Sequence, residues 1–239
     1  MRNYKKIWLI YVTILHLFIG VVLLKSNFIE KVSAKNGLYQ QPEISNYYNL
    51  ITSYHKRMDG SIPMGATIFI GDSITQGLAV SAVSPLSVNY GIGSDTTLGV
   101  LERLPMYKSI DSAKSIVIAI GVNDLKRRGN NEILYNYKKI LEYIPHDKNI
   151  VISAILPVDE NVQSVKVSNE RIFNLNLELH ELTRNYNNVV FVNSRSLLQN
   201  TDRNLKDNFH IGDGVHLSTD GYEVWINQIK SALKMNNEN

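Results

Sequence analysis

One alternation constrains this chain more than any other feature of it. Short apolar, β-branched runs at 67–70, 87–90, 115–120, 150–154 and 189–192 are separated by longer segments with helical spacing at 98–107, 131–143 and 168–186. A further helical segment, 43–57, precedes the first run, and another, 219–235, follows the last. Strand-like runs that take turns with helical patterns are the mark of βα units and a parallel sheet. The pattern predicts a three-layer α/β/α domain with a five-stranded parallel sheet. In such sheets ligands bind beyond the carboxyl ends of the strands, so the turns that follow the runs are where chemistry is expected.

Size agrees with this reading, since 239 residues with 44% hydrophobic and 20% charged residues suit one globular domain plus a short extra segment. The charge is uneven. Of 25 basic residues, Arg2, Lys5, Lys6 and Lys25 lie in a first stretch that holds no acid, which leaves 21 against 22 acidic residues in the rest. A near-neutral body has no field for neutralising phosphates, so nucleic acid is not expected as a partner. With no cysteine there is no disulfide, thiolate nucleophile or Cys-ligated zinc.

The first stretch carries its own signal. Residues 7–24, IWLIYVTILHLFIGVVLL, are uncharged over 18 positions, just long enough to span a bilayer as a helix. A cleaved signal peptide is the rival, but its apolar region is shorter and its small-x-small site follows closely, whereas Val32-Ser33-Ala34 lies well beyond Leu24. Three basic residues before the span and one after it put the N-terminus in the cytoplasm. The expected organisation is a signal anchor or signal peptide at 1–25, a tether at 26–42 and a catalytic domain at 43–239. That domain would be held outside the membrane, or secreted if the segment is cleaved.

Four turns supply candidate chemistry. After the first run comes Ile70-Gly71-Asp72-Ser73-Ile74-Thr75, in which a serine at a strand-to-helix turn could present a nucleophilic hydroxyl or merely cap the helix. The second turn is Asn89-Tyr90-Gly91-Ile92-Gly93-Ser94-Asp95-Thr96-Thr97, where backbone N–H groups could face a negative charge or simply make a glycine-rich bend. Thr96 replaces the third glycine of a dinucleotide fingerprint, and no phosphate-binding P-loop occurs anywhere. After the third run, Gly121-Val122-Asn123-Asp124 offers a side-chain amide for an oxyanion, or an Asx-turn. Near the C-terminus, Asp213-Gly214-Val215-His216 sets an acid three residues before a histidine. Such an acid orients the imidazole of a catalytic triad, although His216 could equally be an ordinary loop histidine, and His210, Asp213 and His216 could together ligate a metal.

Together the four turns present, in order, a hydroxyl, an amide nest, an amide side chain and an acid–histidine pair, the parts that acyl transfer requires. The α/β-hydrolase route to the same chemistry is excluded, because the chain has no G-x-S-x-G elbow. The blocks IFIGDSIT, VNYGIGSDTT, IAIGVNDL and DGVHLSTDGY resemble, in sequence and order, those of the SGNH or GDSL hydrolases, a family of serine esterases and lipases. The resemblance runs over residues 66–234. It implies a flavodoxin-like five-stranded parallel sheet, Ser73 as nucleophile, His216 as general base and Asp213 as its partner, with no cofactor and no metal. It also implies an oxyanion hole made of the Ser73 N–H, a second-block N–H and the Asn123 side chain. The second-block donor in this family is most often a glycine where this chain has Ser94, so Ser94, Gly93 and Gly91 all stand as candidates. Asp72 and Asp124 read as loop braces.

The blocks do not encode the ester. A body outside a membrane meets surface glycans and lipid headgroups, so O-deacetylation of a surface glycan is the expected activity. A lipid or lysophospholipid esterase, an acyltransferase of the same fold and an inactive glycan-binding module are the alternatives.

Overall fold

The computed structural model describes residues 4–6, 8, 11–16 and 44–235. The chain divides into two units, Met1–Pro42 and Glu43–Asn239. In the first, residues 4–6, 8 and 11–16 are helical. Most of the expected anchor and all of the tether at 26–42 lie outside the described residues. Among those described, no helix is long and apolar enough to cross a membrane.

The second unit opens with helix α1 (Asn46–Asp59), whose first turn is capped by the Ser45 hydroxyl accepting the Tyr48 N–H. There follow β1 (Thr67–Gly71), the short helix α2 (Ser73–Gln76), β2 (Ser87–Gly91), α3 (Thr97–Arg103) and β3 (Ser115–Ala119). The chain continues through α4 (Asn130–Tyr143), β4 (Asn149–Ser153), α5 (Asn169–Thr183), β5 (Val189–Val192), α6 (Arg195–Leu198) and α7 (Thr219–Met235). All five strands are parallel, in the order β2-β1-β3-β4-β5. The expected sheet is therefore present, with each strand within one residue of its predicted ends.

Successive side chains of a strand point to opposite faces, and the core divides accordingly. Ile68, Ile70, Ile116, Ile118, Ile150 and Ile152 join Val100, Ile133, Tyr137, Ile140, Leu175 and Leu179 of α3, α4 and α5. Phe69, Val117, Val151 and Val192 pack instead with Trp225, Ile229 and Leu233 of α7. Because the inner strands β1, β3 and β4 are buried on both sides, their apolar runs need no alternation, which is why those runs stand out in the sequence. One predicted helix is cut short. The segment expected to be helical over 98–107 leaves the α-helix at Arg103 and continues as a 3-10 turn, Leu104–Met106, because Pro105 has no N–H and its ring crowds the preceding turn.

The strand order places the site. The chain leaves β1 for β2 on one side and later returns to β3 on the other, so the turn after β1 lies at the point where the winding reverses. The loops after β2 and β3 flank it.

Candidate active site

Ser73 is the first residue of α2, directly beyond the carboxyl end of β1. Asp72 precedes it as N-cap and accepts the Ile74 N–H at 3.0 Å, which leaves the Ser73 N–H as one of the unpaired donors of a helix start. The turn is tight enough to demand Gly71. A Cβ there would sit 2.1 Å from the Thr75 hydroxyl and 2.2 Å from the Ala119 carbonyl. Asn89, on β2, holds the turn from the side by donating to the carbonyls of Thr75 at 2.7 Å and Leu78 at 3.0 Å. Arg103, fully buried, donates to the Gly71 carbonyl at 3.1 Å and pairs with Asp95 at 2.9 Å. The turn that carries the serine is thus braced from β2 and α3 before any substrate arrives.

His216 Nε2 lies 2.8 Å from the Ser73 hydroxyl oxygen, and His216 Nδ1 lies 2.5 Å from Asp213 Oδ2. The other carboxylate oxygen of Asp213 accepts the N–H groups of Val215 at 3.0 Å and His216 at 2.9 Å. Burial alone would push the Asp213 carboxyl up, but hydrogen bonds from the His216 ring and from these two N–H groups outweigh it and hold the carboxyl below its usual range. An ionised carboxylate on Nδ1 keeps that nitrogen protonated and leaves Nε2 as the acceptor facing the serine. The structure therefore brings Ser73, His216 and Asp213 into one hydrogen-bonded line.

Among the three second-block candidates the geometry discriminates. The Gly91 N–H donates to the Asn89 side chain at 2.8 Å, and the Gly93 N–H to the Gln76 side chain at 2.8 Å. Gly93 is therefore not a free donor, contrary to its place among the expected oxyanion groups, because Gln76 occupies its hydrogen. Ser94 differs on both counts. It adopts φ +63°, in the left-handed region, and its N–H donates to no acceptor among the described residues. Asn123 donates one amide hydrogen to the Asp95 carbonyl at 3.0 Å, which orients the side chain and leaves the second hydrogen.

A family model for the GDSL-like lipase/acylhydrolase family matches residues 69–224, about two-thirds of the chain. The chain belongs to this family. Among solved structures it is similar to a Streptococcus pneumonia protein provisionally named a platelet activating factor, with 29% identity and a TM-score of 0.72 over 79% of this chain and 92% of that one. A GDSL-like lipase from Bacteroides thetaiotaomicron matches at 19% identity and a TM-score of 0.69, covering 80% of this chain and 99% of its own. An acetyl xylan esterase from Geobacillus stearothermophilus matches at 20% identity and a TM-score of 0.58, covering 71% and 94%. No curated protein matches. The protein is an SGNH-type hydrolase.

The two acids of this GDSL hydrolase expected to brace loops, Asp72 and Asp124, face inward. Asp124, completely buried, accepts from the Thr97 N–H at 3.0 Å, the Thr97 hydroxyl at 2.5 Å and Arg128 at 2.7 Å, and so ties the loop after β3 to the start of α3. Burial, with the charges of Asp95 and Asp124 nearby, outweighs the Ile74 cap and the Arg103 charge at Asp72 and pushes its carboxyl up to about 7. Metal ligation by His210, Asp213 and His216 does not fit, since Asp213 is engaged with His216 while His210 turns to Asp159. Motif reading passed over Asn89, Gln76, Arg103 and Asp95. Only the fold reveals that Asn89, Gln76 and Arg103 bond main-chain groups distant in the sequence and that Asp95 pairs with Arg103.

Proposed function

We propose that the enzyme hydrolyses carboxylic esters through an acyl-enzyme on Ser73, and that its natural reaction is the O-deacetylation of a surface glycan. His216 takes the Ser73 proton as the hydroxyl oxygen bonds to the ester carbonyl carbon. The oxyanion so formed meets the N–H groups of Ser73 and Ser94 and the free amide hydrogen of Asn123. The carbonyl re-forms, the alcohol leaves with the proton from His216, and water repeats the sequence to release acid and restore Ser73. Asp213 keeps the imidazole in the required tautomer throughout.

The observation that carries the glycan reading is the openness of the relay. The side chains of His216 and Asp213 are 42% and 38% exposed, so a short acyl group borne on a bulky polymer reaches Ser73 without entering a channel. The exposed ring of Tyr47, whose hydroxyl accepts from Gln76 at 2.5 Å, adds an aromatic face beside the second-block loop. The similarity to an acetyl xylan esterase is in keeping with this reading, which the residues of this chain support on their own.

The uncharged run at 7–24 supports a membrane-anchored or secreted enzyme with its catalytic domain on the outer side, where such glycans lie. Hydrolysis of p-nitrophenyl esters of increasing chain length tests the substrate class. Turnover that is highest on acetate and falls steeply with length fits the deacetylase. A preference for octanoate or longer would favour a lipid esterase.

A further inference from the structure

His210 lies six residues before His216, outside every role described so far. Its side chain is 7% exposed. Nδ1 of its ring accepts two main-chain N–H groups, from Gly212 at 3.0 Å and Gly214 at 3.2 Å, the two residues that bracket Asp213. A ring nitrogen that accepts twice carries no hydrogen, so the proton of the neutral imidazole is on Nε2. That nitrogen faces Asp159 Oδ2 at 3.4 Å and has no hydrogen-bond partner among the described residues. Asp159 holds the same loop through its backbone, since its N–H donates to the Gly214 carbonyl at 2.8 Å. Gly214, at φ +76°, has no room for a side chain, because a Cβ would lie 2.9 Å from the Asp159 carbonyl oxygen. From the other side the Ile211 N–H donates to the His216 carbonyl at 3.0 Å and closes the loop.

We propose that His210 is a positioning residue that aims Asp213 at His216: by accepting the amides on either side of Asp213, its neutral ring fixes the backbone from which the carboxylate reaches Nδ1 of His216. The inference rests on the relay assigned under Proposed function and adds a second histidine to it, one that touches neither substrate nor reacting atoms.

A cation is the rival occupant of this place. Asp159, Asp207 and His210 offer ligand atoms that all lie within 4.8 Å of one another. The ring opposes it. A metal takes the lone pair of a deprotonated nitrogen, and here Nε2 bears the only ring proton while both Nδ1 bonds persist. Binding would require breaking the two hydrogen bonds from the Gly212 and Gly214 N–H groups that hold Asp213.

The test compares His210→Phe, which keeps a ring and loses the acceptor, with His210→Asn, whose Oδ1 stands where Nδ1 stood. On p-nitrophenyl acetate, His210→Phe is expected to lose about 10- to 100-fold in kcat with KM changed by less than about threefold, the scale of a misplaced group. His210→Asn recovers most of that loss. In an Asp213→Ala background His210→Phe adds nothing further, because it acts through Asp213. Should His210→Phe fail to fold, His210→Gln, whose oxygen sits at the ε position, is expected to show the same loss in kcat. A folded His210→Phe with wild-type kcat would overturn the proposal, as would losses that multiply in the double variant. Activity that EDTA removes and a divalent cation restores, with the restoration absent in Asp159→Asn, would replace it with the metal site. If Asp213→Ala itself turns over at the wild-type rate, it is the relay of Proposed function that fails.

Discussion

The Gly93 N–H points at the Gln76 side-chain oxygen, 2.8 Å away, and that bond selects the amide of the second loop left for chemistry. With Gly93 held by Gln76 and Gly91 by Asn89, the open donor is Ser94, presented by a left-handed backbone at φ +63°. An L-residue in that region costs about 1–2 kcal/mol, part of which glycine would return as unfolded-state entropy. Ser94→Gly is therefore expected to stabilise the domain by about 0.5–1 kcal/mol and raise Tm by about 1–4 °C. Its kcat should stay near wild type, since the N–H is unchanged. A thermal melt with parallel kinetics checks both, and a tenfold fall in kcat would mean that the serine side chain takes part.

Asn123 contributes a different kind of donor. Losing one side-chain oxyanion donor costs on the order of 10²–10³ in kcat. Asn123→Ala is expected to fall in this range with KM little altered and the domain still folded. Wild-type kcat would remove Asn123 from the oxyanion hole.

In Asp213→Asn the side-chain oxygen still accepts the Val215 and His216 N–H groups, so the loop is expected to keep its shape. The charge that orients the imidazole is lost, and kcat should drop by about two to four orders of magnitude, as in other triads whose acid is made an amide. Steady-state kinetics together with a folding check separate this from collapse of the loop.

Asp72 makes stability depend on pH. Its folded carboxyl is raised to about 7, so between its ordinary range near 4 and that value the folded state holds a proton that the unfolded state has released. The stabilisation is complete below the unfolded pKa and is lost as pH rises through about 7. Asp72→Asn keeps the oxygen that caps Ile74 and has no proton to lose. Its Tm, compared with wild type, is expected to gain between pH 4 and pH 8 by about 3 °C or more, the effect of ~1 kcal/mol in a domain of this size. A difference that does not vary with pH would show that Asp72 ionises freely.

The sheet was legible because its inner strands are buried on both faces, which turns Thr67–Gly71 or Asn149–Ser153 into a plain apolar run. The candidate nucleophile, acid and base were legible as well, since Ser73 follows a strand directly and Asp213 and His216 share one loop. What sequence could not supply was the traffic between loops. Nothing at position 76 marks it as the partner of Gly93, and nothing at 210 distinguishes a loop histidine from one that grips the amides beside Asp213. The first bond joins a side chain to backbone brought close by the pairing of β1 with β2, and the second is made only when the loop at 210–216 folds back on itself. The end of α3 at Arg103, by contrast, was readable from Pro105 and was overrun by apolar spacing.

The central claim is that Ser73 is a nucleophile activated by His216, and covalent labelling tests it without knowledge of the natural ester. The full chain, treated with a fluorophosphonate and digested for mass spectrometry, is predicted to carry one phosphonyl group on Ser73. Ser73→Ala should carry none, and His216→Ala should label at least about a hundredfold more slowly, the scale of a lost general base. No labelling of wild type, labelling at another serine, or an unchanged rate in His216→Ala would contradict it.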